Sequence, residues 1–214
     1  MNTRALERLL SESPRALDAR YRPREVICEP VRAPFAVRLD GVSFGKRLRD
    51  FEAPRSAFVH AALVGAARAL ASTYGAEIVH VVSDEINLVF LASAPYGGRA
   101  AKVVSVLAAH ASAELTAKLG RPLYFDGRAL MLDDACDAAK YLIYRARVGL
   151  NNYVVKLARM SGLVSSRTPR LAELLGRVKI EREDLAWGTF IVKESGYREH
   201  TDICALVARF CGSC

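Results

Sequence analysis

The sequence predicts an α+β fold. Three observations point to it: short β-prone apolar runs, alanine-rich stretches of helical length between them, and acidic residues where the apolar runs end. In chain order the runs are Phe35–Leu39, Glu77–Val82, Ile86–Leu91 and the segment from Leu123 to Leu132. Period-2 or continuous β-branched runs of this length read as strands, and apolar positions three and four apart over longer spans read as helices. At 214 residues and 51% apolar composition the chain can bury a sizeable core as a single unit.

Residues 3–20 carry Leu6, Leu9, Leu10 and Leu17 at roughly helical spacing, interrupted by Pro14, so one or two short helices are expected. Phe35-Ala-Val-Arg-Leu39 is a strand ending at Asp40. Residues 41–53 form a loop with two glycines. Pro54 suits the first turn of a helix that runs to Gly75. Two strands separated only by Ser83-Asp84-Glu85 read as a hairpin with acidic residues at its turn. Residues 99–119 give a second helix, and Leu123 to Leu132 a strand or bent strand around Asp126-Gly127. The resulting β-α-β-β-α-β run is the ferredoxin-like order, which also builds the palm of nucleic-acid polymerases. Beyond it, Asp133 to Met160 is a long helix or a broken pair. Ser165 to Pro169 is a loop, 170–176 a short helix, Gly188–Lys193 a strand, and the end a small apolar helix over 203–210. No linker or repeat divides the chain. The expected organisation is one domain over 1–214, with a palm-like catalytic core at 30–132 and a helical and strand extension at 133–214.

The net charge of +8 suits a polyanionic partner, nucleic acid first, although general Arg-rich basicity accounts for it equally well. No apolar run is long enough to span a bilayer, and the N-terminus lacks the apolar stretch of a secretory signal, so a soluble cytoplasmic protein is expected. Of five cysteines, Cys211 and Cys214 form a terminal CxxC with no second pair, which reads as a loose tail or a local disulfide rather than zinc ligands. The sequence contains no glutamine, a depletion of thermolabile residues that would make an intracellular disulfide plausible. Four histidines show no ligand spacing and are expected to be structural.

The order of the elements can bring Asp40 and Asp84-Glu85 to one sheet edge. Hard divalent ions such as Mg²⁺ bind through one or two carboxylates plus substrate phosphates, and two ions about 4 Å apart suit nucleotidyl transfer. On these residues alone, polar turn residues and a loop cap are the competing reading. Gly41 and Gly45 could let backbone N–H groups approach phosphate, and Lys46, Arg99 and Lys102 could neutralise a triphosphate. Each is also readable as ordinary loop or surface.

Taken together and in order, several segments resemble the tRNA-His guanylyltransferase and guanylyltransferase-like family of 3′–5′ polymerases. Val37-Arg-Leu-Asp-Gly41 with Phe44, Phe51 with Pro54, Ser83-Asp84-Glu85 before Val89-Phe90, Arg99-Ala-Ala-Lys102, Phe125-Asp-Gly-Arg128, Tyr144-Arg145, Asn152 and Ser161-Gly162-Leu163 carry the likeness, over roughly residues 30–180. The resemblance, to a divergent archaeal-type member, implies a two-metal nucleotidyltransferase. It would add nucleotides in the 3′–5′ direction to the 5′ end of tRNA, either as G addition to tRNA-His or as template-dependent repair. It implies Asp40, Asp84 and Glu85 as catalytic residues, with Mg²⁺ held by Asp40, the Gly41 carbonyl and Asp84. It implies GTP or another NTP, and ATP, as substrates, contacted by Asp40, Gly41, Val42, Ser43, Phe44, Gly45, Ser83 and Asp84. Lys46, Arg99, Lys102, Arg128, Arg145 and Asn152 would face triphosphate or tRNA, and a homo-oligomer, a tetramer, is implied. The chain departs from the family pattern at Val42, Ala53, Ser56, Val82, Tyr144, Ala146 and Leu150. The departures at Val42, Ala53, Ala146 and Leu150 keep a catalytically weak tRNA-binding protein as an alternative. A nucleotide cyclase is a further one, disfavoured because no Gly-Gly precedes Asp84-Glu85.

Overall fold

The computed structural model of the chain describes residues 3–26, 30–164 and 169–212. The expected run appears as β2 (Phe35–Gly41), α4 (Ala57–Tyr74), β3 (Ile78–Val82), β4 (Glu85–Phe90), α5 (Ala100–Leu119) and β5 (Phe125–Met131). These strands stand in the order β5-β2-β4-β3, all antiparallel. That is the ferredoxin-like arrangement, with the first strand inside and the last at its edge. Three short strands widen the sheet to seven: β1 (Glu25–Val26) beside β5, then β6 (Thr189–Lys193) and β7 (Tyr197–His200) beyond β3. β1 and β7 escape a sequence reading because a two-residue strand has no period, and Tyr-Arg-Glu-His alternates too weakly to register.

Two helical layers cover the sheet. Leu39, Val37, Val79, Ile86 and Leu88 point to one face and pack under α4 and α5. Ala36, Ile78, Val89 and Leu130 point to the other, under α6 (Ala135–Met160), with α1 (Thr3–Leu10), α2 (Pro14–Tyr21) and α9 (Ile203–Cys211) completing that layer. Successive strand side chains alternate between faces, so both parities are apolar in a sheet covered on both sides.

Local chemistry sets the helix ends. Ser13 and Ser56 each accept a backbone N–H at the start of α2 and α4. α4 therefore begins at Ala57 rather than at Pro54, which lies in the preceding turn. The loop at 41–53 contains one helical turn, α3 (Phe44–Arg47). α6 is a single unbroken helix of 26 residues, capped by Asp134. Its Gly149 does not break it, because that is where α6 lies against β3: a Cβ there would come 2.2 Å from the Val82 side chain. Two further short helices, α7 (Leu171–Leu175) and α8 (Glu183–Ala186), join α6 to β6. No helix among the described residues is long and apolar enough to cross a membrane.

Cys211 is bonded to Cys136, not to its near neighbour in sequence, and Cys214 lies outside the described residues, as does most of the loop expected from Ser165. The bond ties the end of α9 to the start of α6, closing a loop of 75 residues. On chain-entropy grounds such a closure stabilises by about 4 kcal/mol. Cys136→Ser, or full reduction, is expected to lower the midpoint of urea unfolding accordingly. Coincident unfolding curves with and without reductant would refute a stabilising role.

Candidate active site

Asp40 is the penultimate residue of β2 and is flanked by acidic residues across both ladders. It pairs with Glu85 of β4 on one side and with Asp126 of β5 on the other. The β3–β4 turn is reduced to Ser83-Asp84, with Ser83 in the left-handed region (φ 58°), an uncommon and locally strained conformation for a non-glycine residue. The turn is fastened to β2 by Gly41 N–H donating to the Asp84 carbonyl at 3.0 Å. Gly41 has a packing reason to lack a side chain: a Cβ would fall 2.5 Å from the ring of Phe44, which closes back over it and meets Phe125 edge-on at 5.1 Å.

Like charges so placed raise one another's affinity for protons. Burial, then the charges of Glu85 and Asp84, push Asp40 up to about 6, with Arg38 opposing and Asp126 adding. Asp84 is also raised, chiefly by burial, against the opposing Ser83 hydrogen bond. Glu85 differs. Arg145 Nε donates to its Oε2 at 2.9 Å, and a second guanidinium nitrogen donates to its Oε1, in a pair that is largely buried. Burial works against the Arg145 charge, but Glu85 outweighs it and Arg145 is held more firmly protonated than usual. Both oxygens of Glu85 are thus occupied by a side chain from α6.

Asp84 and Ser83 open into a cleft of about 370 Å³ whose other wall includes Phe44, Gly45, Arg49, Pro54, Arg55, Ser56 and Lys156. Arg55 is pinned there by hydrogen bonds to the carbonyls of Ala186 and Gly149, at 3.2 and 3.0 Å, and to that of Leu185. Burial lowers its pKa to about 10, with Asp84 the largest opposing charge, so it remains cationic near neutrality. Arg49, Arg55 and Lys156 were not singled out as site residues in the sequence. Arg55 lies between Ala53 and Ser56, where the chain departs from the family pattern, and Lys156 reads as one more cation on a long helix. Only the packing of α6 across the sheet edge brings it opposite Asp84.

The remaining expected residues distribute as follows. Val42 and Ser43 are exposed beside the cleft, Ser43 in the left-handed region (φ 59°), and Val42 N–H donates to the Tyr124 carbonyl. Lys46 lies in a neighbouring cleft. Arg128 lines, with Asp126, a separate groove along α5 and β5. Arg99 and Lys102 are grouped around Tyr96, the Lys102 ammonium 4.8 Å from its ring. Tyr96 packs on Tyr74 at the far end of α4 from Ser56, so the chain does not bring these two cations into the cleft with Asp84. Asn152 is exposed on α6, one turn before Lys156, and does not line the cleft. His60 and His80 are buried, hydrogen-bonded to Thr189 and to the Trp187 carbonyl, and pushed down to about 4 chiefly by burial; both are neutral framework groups.

Among the described residues no group of three or more His, Cys, Asp or Glu forms a complete metal cage. The donors that stand near one another are all oxygen: Asp40 feels the charge of Asp84, and Glu85 is already paired. Such a partial set fits a hard cation that completes its shell with water and substrate phosphate, and does not fit a soft or thiolate-bound metal.

The comparisons with known proteins bear on the family and the fold. Residues 25–133 match the family model of tRNAHis guanylyltransferase (Thg1). A bacterial tRNA(His) guanylyltransferase (Thg1)-like protein in complex with ATP aligns with a TM-score of 0.73 and 22% identity, over 88% of this chain and 90% of that one. A bacterial protein of the same description in complex with GTP gives 0.68 and 23%, over 91% of each. The tRNA(His) guanylyltransferase of Saccharomyces cerevisiae gives 0.64 and 16%, over 86% and 94%. At such identities these three establish a shared fold. No curated protein matches the sequence.

Proposed function

The chain belongs to the tRNAHis guanylyltransferase family of tRNA 5′-end nucleotidyltransferases, and from that premise we propose that it extends tRNA 5′ ends in the 3′–5′ direction, using Asp40 and Asp84 as its metal-binding pair. The observation that carries this reading is that Asp84 opens into a cleft that also holds Arg49, Arg55 and Lys156, while Asp40 stands near enough for the Asp84 charge to raise its proton affinity. A nucleoside triphosphate is an anion that needs both: a cation bridged by carboxylates, and fixed positive charge for the remaining phosphate oxygens. Support for nucleotide binding also comes from the two bacterial relatives in complex with ATP and GTP.

In the proposed reaction a 5′-monophosphate is first activated by a nucleoside triphosphate, with release of pyrophosphate. The 3′-hydroxyl of an incoming nucleotide then attacks the activated phosphorus. A phosphodiester forms, the activating nucleoside monophosphate leaves, and the hydroxyl proton passes to solvent. Magnesium ions, two by family resemblance, would supply charge neutralisation at the attacking and leaving oxygens. Asp40, Asp84 and the Gly41 carbonyl would hold them. Arg55, fixed by three carbonyls, would present an oriented positive charge without reorganising. Ala53 stands where the family has lysine; Arg55 and Lys156 would replace that charge from other parts of the cleft wall. Residues 30–132 would serve as the palm-like core and 133–214 as the extension meeting tRNA, with a homo-oligomer, a tetramer by resemblance, as the assembled form.

The test is incorporation of each labelled NTP onto 5′-monophosphorylated tRNA lacking its first nucleotide. Mg²⁺-dependent 5′ extension is expected, abolished in Asp84→Ala. No incorporation of any nucleotide by well-folded protein would sink the reading and leave a tRNA-binding role. Restriction to GTP on tRNA-His would separate dedicated G addition from templated repair.

A further inference from the structure

Beside the candidate active site lies a second cleft, of about 650 Å³, lined by Ser43, Lys46, Arg47, Arg49, Asp50 and Arg121. Four of these six residues are cationic. Asp50 is engaged by Arg121 through two hydrogen bonds of 2.8 Å, which leaves Lys46, Arg47 and Arg49 as surplus positive charge. The walls are fixed across the cleft rather than free. Arg121 also donates to the Arg47 carbonyl at 3.0 Å, and Arg47 donates back to the Pro122 carbonyl at 3.3 Å. These bonds clip α3 to the connection between α5 and β5. The Arg47 guanidinium reaches over the rim of the cleft to within 4.9 Å of the ring centre of Tyr124, which lines the adjacent groove along α5 and β5 and, at 50% exposed, keeps area for another planar group.

This cleft adjoins the first. Arg49 lines both, and Ser43 precedes Phe44, which borders the cleft holding Asp84. Surplus cations therefore stand directly beside the cleft into which Asp84 opens. A compact triphosphate calls for charge at one point. A track of cations flanked by an exposed aromatic is what a single-stranded nucleic acid requires, with phosphates on the cations and a base on the ring.

We propose that this cleft holds the terminal nucleotides of the RNA strand being extended, with its phosphates on Lys46, Arg47 and Arg49 and a base stacked on Tyr124. The proposal rests on the nucleotidyl-transfer reading above and deepens it. It places the RNA contact nearest the chemistry on the segment that follows Asp40 rather than on the extension at 133–214.

The experiment uses the full-length protein, with 5′-monophosphorylated tRNA and a 12-nucleotide single-stranded RNA as probes. Dissociation constants are measured across a KCl series, and GTP affinity by calorimetry. The Lys46→Ala/Arg47→Ala/Arg49→Ala variant is expected to weaken RNA binding about 30-fold or more at low salt. Each lost phosphate contact removes roughly 0.7 from the logarithmic salt slope, so a flattening of about 2 is expected. GTP affinity should stay within about twofold in Arg47→Ala, which leaves Lys46 and Arg49 in place. Tyr124→Ala is expected to weaken binding about tenfold at unchanged slope, and Tyr124→Phe to restore it. Should the triple variant not fold, Arg47→Glu alone gives the same readout with one charge reversed. RNA affinity and slope unchanged in these variants overturn the proposal. Loss of GTP binding with RNA binding intact also overturns it, by assigning the cleft to a triphosphate. Parent protein that binds RNA through this cleft yet incorporates no nucleotide sinks the functional reading alone. Incorporation with RNA binding indifferent to these residues sinks this proposal alone. Parent protein that binds no RNA sinks both.

Discussion

Asp40→Asn is expected to abolish Mg²⁺-dependent nucleotide incorporation while making the metal-free protein more stable. Loss of one ligand carboxylate forfeits several kcal/mol of charge stabilisation, which corresponds to a fall in rate of about a thousandfold or more. The opposite effect on stability follows from electrostatics. Asp40 is raised to about 6 by burial and by its acidic neighbours, so in the folded protein its ionised form is disfavoured relative to the unfolded chain. The native state then binds more protons than the unfolded state between about pH 4 and 6, and this contribution to stability falls as pH rises through that window. Above it the full penalty applies. Because the side chain is only half-buried, water screens the repulsion and the effect is about 1 kcal/mol, or roughly 2–4 °C for a chain of this size. Thermal melts at pH 7.5 without metal should therefore place Asp40→Asn above the parent, and Mg²⁺ should raise the parent's midpoint but not the variant's. A variant that is both inactive and less stable in metal-free buffer would show that Asp40 is a framework residue.

Arg145→Met is expected to cost about 3–5 kcal/mol of stability, because it leaves Glu85 buried without its partner. The double variant Arg145→Met/Glu85→Leu should recover most of that loss, since apolar groups of similar size commonly replace a buried pair without net cost. Urea unfolding of the four proteins in the cycle measures the coupling. The pair also bears on function. With both oxygens engaged by α6, Glu85 stands as a fixed charge beside Asp40 and anchors the start of β4 next to the Ser83-Asp84 turn. Recovery of stability without recovery of incorporation would support that positioning role. A single variant within about 1 kcal/mol of the parent would refute the buried pairing.

The four central strands and the helices between them were legible because their signals are local. Phe35–Leu39 and Ile78–Val82 are runs that only a covered strand uses, and α4 and α5 are alanine-rich stretches of constant period. The extent of α6 was legible but its continuity was not: Asp133 to Met160 reads equally as one long helix or a broken pair, and only the packing of Gly149 against Val82 shows why a glycine sits inside an unbroken helix. Nor was the Cys136–Cys211 bond, whose partners lie 75 residues apart, whereas the adjacent Cys214 is the obvious partner in the sequence. Among the site residues, Asp40 and Asp84 could be picked out because each ends an apolar run. Arg55 and Lys156 could not, because nothing in their neighbourhoods distinguishes a cation that lines a cleft from one that faces water. Arg99 and Lys102 illustrate the converse: a motif at helix start suggested phosphate contact, yet the chain groups them around Tyr96, away from Asp84.

By itself the sequence determined the identity of the elements, their order and the presence of acidic residues at the ends of two strands, since propensity, period and turn chemistry act over a few residues. Tertiary structure decided which carboxylates remain available and which are paired, where the positive charge stands, and how two clefts come to share Arg49. Those properties depend on register across the ladders and on the packing of α6 over the sheet edge. Both are set by contacts between residues 60 to 130 positions apart, such as Glu85 with Arg145 and Arg55 with Leu185.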